Sequence, residues 1–150
     1  MINAEQLFLD GVTLYNKELF WDAIESFQES IDEGINDQLL DDCYLNIAIC
    51  YMRLSLFQEA KQFFEKTIEV SSKGDDTINF DKNITGKSSS RALLGLIRVD
   101  LADGNLKEAE KKLGRLEGDE SSVLIEGIEI SFYELASEEI EIVKKNTAGE

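Results

Sequence analysis

Residues 41–70 read DDCYLNIAICYMRLSLFQEAKQFFEKTIEV, and the pattern of apolar residues in this stretch decides the fold. Apolar residues recur there at steps of three and four, which is the spacing of one face of a helix. They are Tyr44, Ile47, Ala48, Tyr51 and Leu54 in a first segment, and Phe57, Ala60, Phe64 and Ile68 in a second. The joint at residues 54–56 is too short for anything but antiparallel neighbours. The stretch therefore predicts a hairpin of two helices.

One spacing of small and aromatic residues occurs twice in the first half of the chain. A small residue is followed by an alanine twelve positions later and by a phenylalanine sixteen positions later. The two sets are Gly11, Ala23 and Phe27, and Ala48, Ala60 and Phe64. This pattern closely resembles a tetratricopeptide repeat (TPR), a unit of about 34 residues built from two helices. The resemblance implies an array of such hairpins wound into a right-handed superhelix.

The pattern predicts a single all-α domain, a TPR-like superhelix of three antiparallel helix pairs plus a C-terminal capping helix. In the third pair Asp100 stands where the resemblance places a tyrosine. The capping helix would cover the last hairpin, as terminal helices do in repeat arrays. The predicted parts of the domain 1–150 are repeats at about 4–37, 41–74 and 90–118, a polar loop insertion at 71–89, and the capping helix at about 120–145.

Charge restricts the partners that the chain is expected to bind. It carries 31 acidic and 15 basic residues, a net charge of −16. Nucleic acids and anionic membrane surfaces are bound through Lys and Arg, so neither is an expected partner, although acidity also serves solubility alone. No apolar run is long enough to span a bilayer. The start, MINAEQLFLD, lacks the features of a signal peptide, so we expect a cytoplasmic protein without membrane insertion.

Residue types that support catalysis or metal binding are scarce. The chain has no histidine and two cysteines, Cys43 and Cys50, on one predicted helix. A zinc or haem site of the usual ligand types is therefore not expected. No serine or cysteine has a histidine to activate it. Residues 86–88 and 81–86 match only fragments of phosphate-binding and calcium-binding loops. We predict no cofactor, no metal site and no enzymatic activity.

The resemblance implies a concave groove lined by the first helix of each pair. The groove positions of this sequence carry an apolar stripe with a few polar side chains. The predicted groove residues are Phe8, Val12, Tyr15, Leu45, Asn46, Ile49, Met52, Arg53, Leu94 and Arg98. A large exposed apolar patch marks an interaction site. The sequence therefore predicts a protein-binding adaptor or scaffold whose partner places a peptide or helix in the groove.

The resemblance also allows one kind of partner to be checked by residue. Relatives that grip the acidic tails of heat-shock chaperones use Lys, Asn and Arg side chains at five groove positions. Those positions here are Phe8, Val12, Asn46, Arg91 and Gly95, of which only Asn46 matches fully and Arg91 in part. Together with the net charge, this predicts a partner segment that is apolar and neutral or basic. Two alternatives stay open, an acidic secretion-type chaperone for an exported client and an assembly subunit that forms homo-oligomers.

Overall fold

The computed structural model describes residues 3–71 and 83–148. Seven helices and three short strands follow one another in these parts of the chain. They are α1 (Ala4–Asn16), α2 (Phe20–Asp32), α3 (Asp37–Arg53), α4 (Phe57–Ser71), β1 (Ile84–Thr85), α5 (Ser88–Ala102), α6 (Leu106–Arg115), β2 (Ser122–Ile125), β3 (Ile128–Ser131) and α7 (Phe132–Ala148). Within these residues no helix is both long enough and apolar enough to cross a membrane.

Consecutive helices pack as three pairs, α1 with α2, α3 with α4, and α5 with α6, and α7 packs on the last pair. The predicted all-α architecture of three helix pairs plus a capping helix is confirmed. Asparagine side chains cap the N-termini of α1 and α3. The Oδ1 atom of Asn3 accepts a hydrogen bond from the backbone N–H of Gln6 at 2.8 Å, and the Oδ1 atom of Asn36 accepts one from the backbone N–H of Leu39 at 3.1 Å. The cap at Asn36 starts α3 at Asp37, earlier than the boundary predicted at residue 41.

Large aromatic side chains fill the core between successive helices. Phe8 of α1 and Phe27 of α2 lie in a first buried cluster, Phe64 of α4 in a second, and Phe132 of α7 in a third. The repeated small residue of the sequence pattern has a steric reason in the first pair. A Cβ atom added to Gly11 would lie 2.6 Å from the ring of Phe27, so only glycine allows α1 and α2 to approach this closely.

The prediction of a capping helix over residues 120–145 is wrong for its first part. The chain forms a β-hairpin from Ser122 to Ser131, and the helix begins only at Phe132. The hairpin turn consists of Glu126 and Gly127, which both have positive φ, +52° and +80°. Two-residue turns with two positive φ values match the twist of paired strands. Residues 84–85 add a third strand, so the sheet has the order β1-β2-β3, with antiparallel pairing throughout.

The predicted loop insertion at 71–89 is only partly a loop. Its first residue ends α4, its strand β1 pairs with β2, and its last two residues begin α5. Residues 72–82 of the predicted insertion, and the end of the second predicted repeat, lie outside the described residues. In sequence, strand β1 follows the second helix pair and precedes the third. Strands β2 and β3 lie between the third helix pair and α7.

Candidate functional site

A groove of about 860 Å³ runs across the first helices of the three pairs. One side of the groove is formed by α1, α3 and α5, and the other by α7 with strands β1 and β2. The first side contributes Val12, Tyr15, Asn16, Asp42, Asn46, Ile49, Met52, Arg53, Arg91, Leu94, Gly95 and Arg98. Further lining residues are Phe64, Asn83, Ile84, Val123, Phe132 and Leu135.

The structure places most of the predicted groove residues in this groove. Eight of the ten line it, namely Val12, Tyr15, Asn46, Ile49, Met52, Arg53, Leu94 and Arg98. The other two do not. Phe8 and Leu45 are 1% and 0% exposed and belong to the core. Phe8 packs against Phe27, with ring centroids 5.7 Å apart, because its side chain points between α1 and α2 instead of into the groove.

Five lining residues, Asn83, Ile84, Val123, Phe132 and Leu135, come from parts of the chain that the repeat pattern does not reach. Ile84 and Val123 belong to the small sheet, and Phe132 and Leu135 to α7. The side of the groove opposite the repeat helices is therefore built by the sheet and the capping helix. The capping helix thus lines the groove through Phe132 and Leu135 and does not fill it.

The groove lining holds more arginines than carboxylates, although the chain as a whole is strongly acidic. The sequence holds four arginines, and three of them, Arg53, Arg91 and Arg98, line the groove. Among the described lining residues the one carboxylate is Asp42, which is 1% exposed and accepts a hydrogen bond from the Ser88 hydroxyl at 3.4 Å. The lining therefore contains three guanidinium groups and one buried carboxylate.

Two of these arginines are held by carboxylates at the edge of the groove. Arg98 forms a bidentate ion pair with Glu139, with Nε–Oε1 and Nη2–Oε2 distances of 2.8 and 3.2 Å. This ion pair joins α5 to α7. Arg53 donates to Glu18 at 3.0 Å, and its guanidinium carbon lies 4.8 Å from the centre of the Phe20 ring. Because all four charged side chains remain partly exposed to solvent, such pairs exchange partners at little cost.

Neither cysteine offers a nucleophile. Cys43 and Cys50 are buried in the core, and burial raises the pKa of each thiol to about 12. A thiol with such a pKa carries almost no thiolate at neutral pH. In residues 3–71 and 83–148 no group of three or more Cys, Asp or Glu side chains is placed to hold a metal ion.

No protein-family model and no curated protein matches the sequence. The fold does match solved structures. One is the Hsp90 co-chaperone Cns1 from Saccharomyces cerevisiae, with a TM-score of 0.72 and 14% identity over 97% of this chain and 40% of the Cns1 chain. The chain thus spans about two fifths of that protein. Another is the first TPR of Spaghetti (RPAP3) bound to the HSP90 peptide SRMEEVD, with a TM-score of 0.66 and 16% identity over 97% of this chain and 96% of that one.

At these identities the likeness concerns the fold. Both solved structures are similar along nearly the whole of this chain, and the second matches it in length as well. The arrangement of the helices along this chain is thus that of a TPR-like fold. This protein is TPR-like, with an all-α fold of three helix pairs and a capping helix.

Proposed function

We propose that this chain is a protein-interaction adaptor that binds a segment of a partner protein in the groove. The observation that carries the proposal is the lining itself, in which an apolar floor is combined with three arginines. Clefts of this size with a few placed polar groups are typical of ligand sites. The two similar structures support the same role, since one is a co-chaperone and the other holds a bound peptide.

The lining changes the partner chemistry that net charge alone predicts. A charge of −16 favours a neutral or basic segment, yet the groove presents three arginines and one buried carboxylate. Guanidinium groups bind carboxylates in two-pronged geometry. We therefore favour a segment with apolar side chains and at least one carboxylate. Such a carboxylate would replace Glu139 or Glu18 beside its arginine.

Two peptides test this chemistry directly. The peptide SRMEEVD combines methionine and valine with three carboxylate side chains, and it is bound by the TPR of Spaghetti. Its analogue SRMKKVK keeps the apolar residues and reverses those three charges. We expect the acidic peptide to bind more tightly in isothermal titration calorimetry. Tight binding is not required, because the chain lacks most of the side chains that grip heat-shock tails.

Substitutions in the Arg98–Glu139 ion pair change the affinity in opposite directions for an acidic and for a basic ligand. Arg98→Met should weaken binding of the acidic peptide roughly tenfold, or about 1.4 kcal/mol. Glu139→Gln should strengthen it, because Arg98 then has no competing carboxylate. Arg115→Met is the matched control, since Arg115 is the arginine outside the groove lining and should have no effect. A basic ligand would reverse both signs. If neither peptide binds, or if all three variants bind alike, the groove is not the site.

The two alternative functions make different predictions. A secretion-type chaperone would keep an exported client from aggregating, and an assembly subunit would show a mass that rises with concentration in light scattering. We propose that the protein is not an enzyme and that it is cytoplasmic. Fractionation of cells would test the proposed location.

A further inference from the structure

The outer edge of strand β3 is a second surface with the features of a binding site. The sheet has the order β1-β2-β3, so β3 pairs with β2 on one side only. In the described parts of the chain no strand pairs with the other side of β3. An edge strand presents backbone N–H and C=O groups that another extended chain can use.

The hairpin turn determines which backbone groups face outward. Across a two-residue turn, the flanking residues Ile125 and Ile128 exchange hydrogen bonds, and the pattern then alternates along each strand. The N–H of Leu124 donates to the Asn83 carbonyl at 2.7 Å, which confirms that Leu124 faces away from β3. The backbone groups of Ile128 therefore face β2, and those of Glu129 face the open edge. Ser131 faces the same way as Glu129.

The two faces of the sheet differ sharply in chemistry. Residues directly opposite one another on paired strands have their side chains on the same face, so the register shows which side chains lie on each face of the sheet. One face carries Ile84, Val123, Ile125, Ile128 and Ile130. Its outer part is open to solvent, with Ile125 and Ile128 at 43% and 65% exposed. The opposite face carries Glu129 beside Leu124, and Glu126 lies in the adjoining turn.

We propose that the edge of β3 accepts an extended segment of a basic partner protein as a fourth strand. In that segment apolar residues alternate with Lys or Arg. The apolar side chains cover Ile128 and Ile130, while the basic side chains lie on the face of Glu129. Backbone hydrogen bonds provide the docking, and alternate side chains provide the selectivity, as in other cases of strand addition.

Charge complementarity selects this occupant over a second copy of the chain. Pairing two β3 edges would place the Glu129 carboxylates of both copies on neighbouring strands, in chains that each carry a net charge of −16. Like charges on neighbouring strands are destabilising. The proposal concerns the sheet edge and does not rest on peptide binding in the groove.

Peptides of defined alternation test the proposal. The probe is an acetylated and amidated Lys-Val-Lys-Val-Lys-Val hexapeptide, followed by amide chemical shifts of the ¹⁵N-labelled protein. A Lys-Lys-Lys-Val-Val-Val peptide has the same composition without alternation, and Glu-Val-Glu-Val-Glu-Val has the alternation with opposite charge. Only the first peptide should move the amide signals of Glu129 and Ser131, with weak affinity because the edge offers few hydrogen bonds.

Two substitutions at Glu129 separate the contribution of the backbone N–H to peptide binding from that of the carboxylate charge. Glu129→Pro removes an outward N–H without touching a bond to β2, and should abolish binding. Glu129→Gln keeps that N–H and should weaken binding severalfold with reduced dependence on salt. The amide signal of Val123 reports whether the hairpin is intact. Should Glu129→Pro disturb it, Ile128→Ser tests the apolar face instead.

Several results would overturn the proposal. These are equal binding of the block peptide, unchanged binding by Glu129→Pro with an intact hairpin, or shifts confined to groove amides such as those of Arg91 and Arg98. A mass that doubles without peptide and returns to monomer in Glu129→Pro would assign the edge to a second copy. Loss of SRMEEVD binding in the groove variants leaves these readouts unchanged.

Discussion

The ammonium group of Lys112 contacts the carboxylate of Asp100, and this ion pair joins α6 to α5 inside the third helix pair. The two side chains are 18% and 9% exposed, so this ion pair is more buried than the pairs Arg53–Glu18 and Arg98–Glu139 at the groove. Asp100 occupies the position at which the sequence resemblance places a tyrosine. The third pair thus replaces an aromatic contact between its helices with an electrostatic one.

Lys112→Met should destabilise the protein by about 2 kcal/mol, because it leaves the carboxylate of Asp100 buried beside no cation. The double variant Asp100→Leu with Lys112→Met should be more stable than Lys112→Met alone, since it removes the orphaned charge. Urea denaturation followed by circular dichroism measures both.

Lys111→Met serves as the control, because Lys111 is 78% exposed and pairs with Glu108 at 3.7 Å. Its effect should stay within about 0.5 kcal/mol. Equal effects at residues 111 and 112 would show that the ion pair contributes nothing beyond general charge.

Gly95→Ala should destabilise the protein by about 1 to 3 kcal/mol through overpacking. A Cβ at this position would meet the ring of Phe64, which crosses from the preceding helix pair. Gly114→Ala is the matched change in α6, where nothing lies near the new methyl group, and it should stabilise by about 0.5 to 1 kcal/mol. Thermal melts of the two variants should therefore shift in opposite directions.

Trimming the ring should rescue the first variant. Combining Gly95→Ala with Phe64→Leu should cost less than the sum of the two single changes, because the methyl group enters space that the ring has vacated. Strict additivity in this cycle would place the strain somewhere other than the contact between α4 and α5.

Sequence reasoning succeeded where a local spacing repeats. The alanine and phenylalanine positions of the helix pairs predicted the pairs, and helical periodicity then placed eight of ten groove residues in the groove. It failed for Phe8 and Leu45, because small rotations of a helix against its neighbour decide whether a side chain faces the groove or the core. Periodicity does not encode those rotations.

The missed β-hairpin has a specific cause. Ile125 and Ile128 are three positions apart, which fits one face of a helix and also fits two residues opposite each other across a two-residue turn. The distinguishing signals were the Glu126-Gly127 turn and the alternation of Ile128 and Ile130. The sheet and α7 also form one wall of the groove through long-range contacts, so those lining residues carried no repeat signal.

Stability should depend on pH through Asp119. Burial by itself would raise the pKa of this carboxyl, but hydrogen bonds from Ser121 and Ser90, with the charge of Lys87, hold it below its usual value. A lowered pKa in the folded state stabilises the protein above the pKa of the unfolded state, about 3.9, and this contribution disappears as pH falls through the folded value. Asp119→Asn should therefore be less stable than the natural chain at neutral pH, by no more than about 1 kcal/mol, because the carboxyl is partly exposed and solvent screens its interactions.

The difference between the two proteins should remain constant down to about pH 5 and shrink below about pH 4. Urea denaturation at several pH values measures it. Glu120→Gln is the neighbouring control, since Glu120 is exposed and should show no such trend. A difference at pH 3 as large as that at pH 7 would show that the hydrogen bonds act without the charge.

Ile49→Asp and Leu45→Asp should have opposite consequences, although the two residues lie one turn apart on α3. Leu45 is fully buried, so a carboxylate there is desolvated and should unfold the chain. Ile49 is half-buried and lines the groove, so its carboxylate can stay hydrated, and we expect retained helicity with a melting temperature lowered by a few degrees. Binding of SRMEEVD should nevertheless fall, since the groove would lose apolar surface and gain a negative charge. Circular dichroism and calorimetry on both variants separate these effects.

If Ile49→Asp also unfolds the chain, Ile49 belongs to the core and the groove floor must lie elsewhere. If the variant folds and binds the peptide as before, the peptide does not contact α3 at this turn.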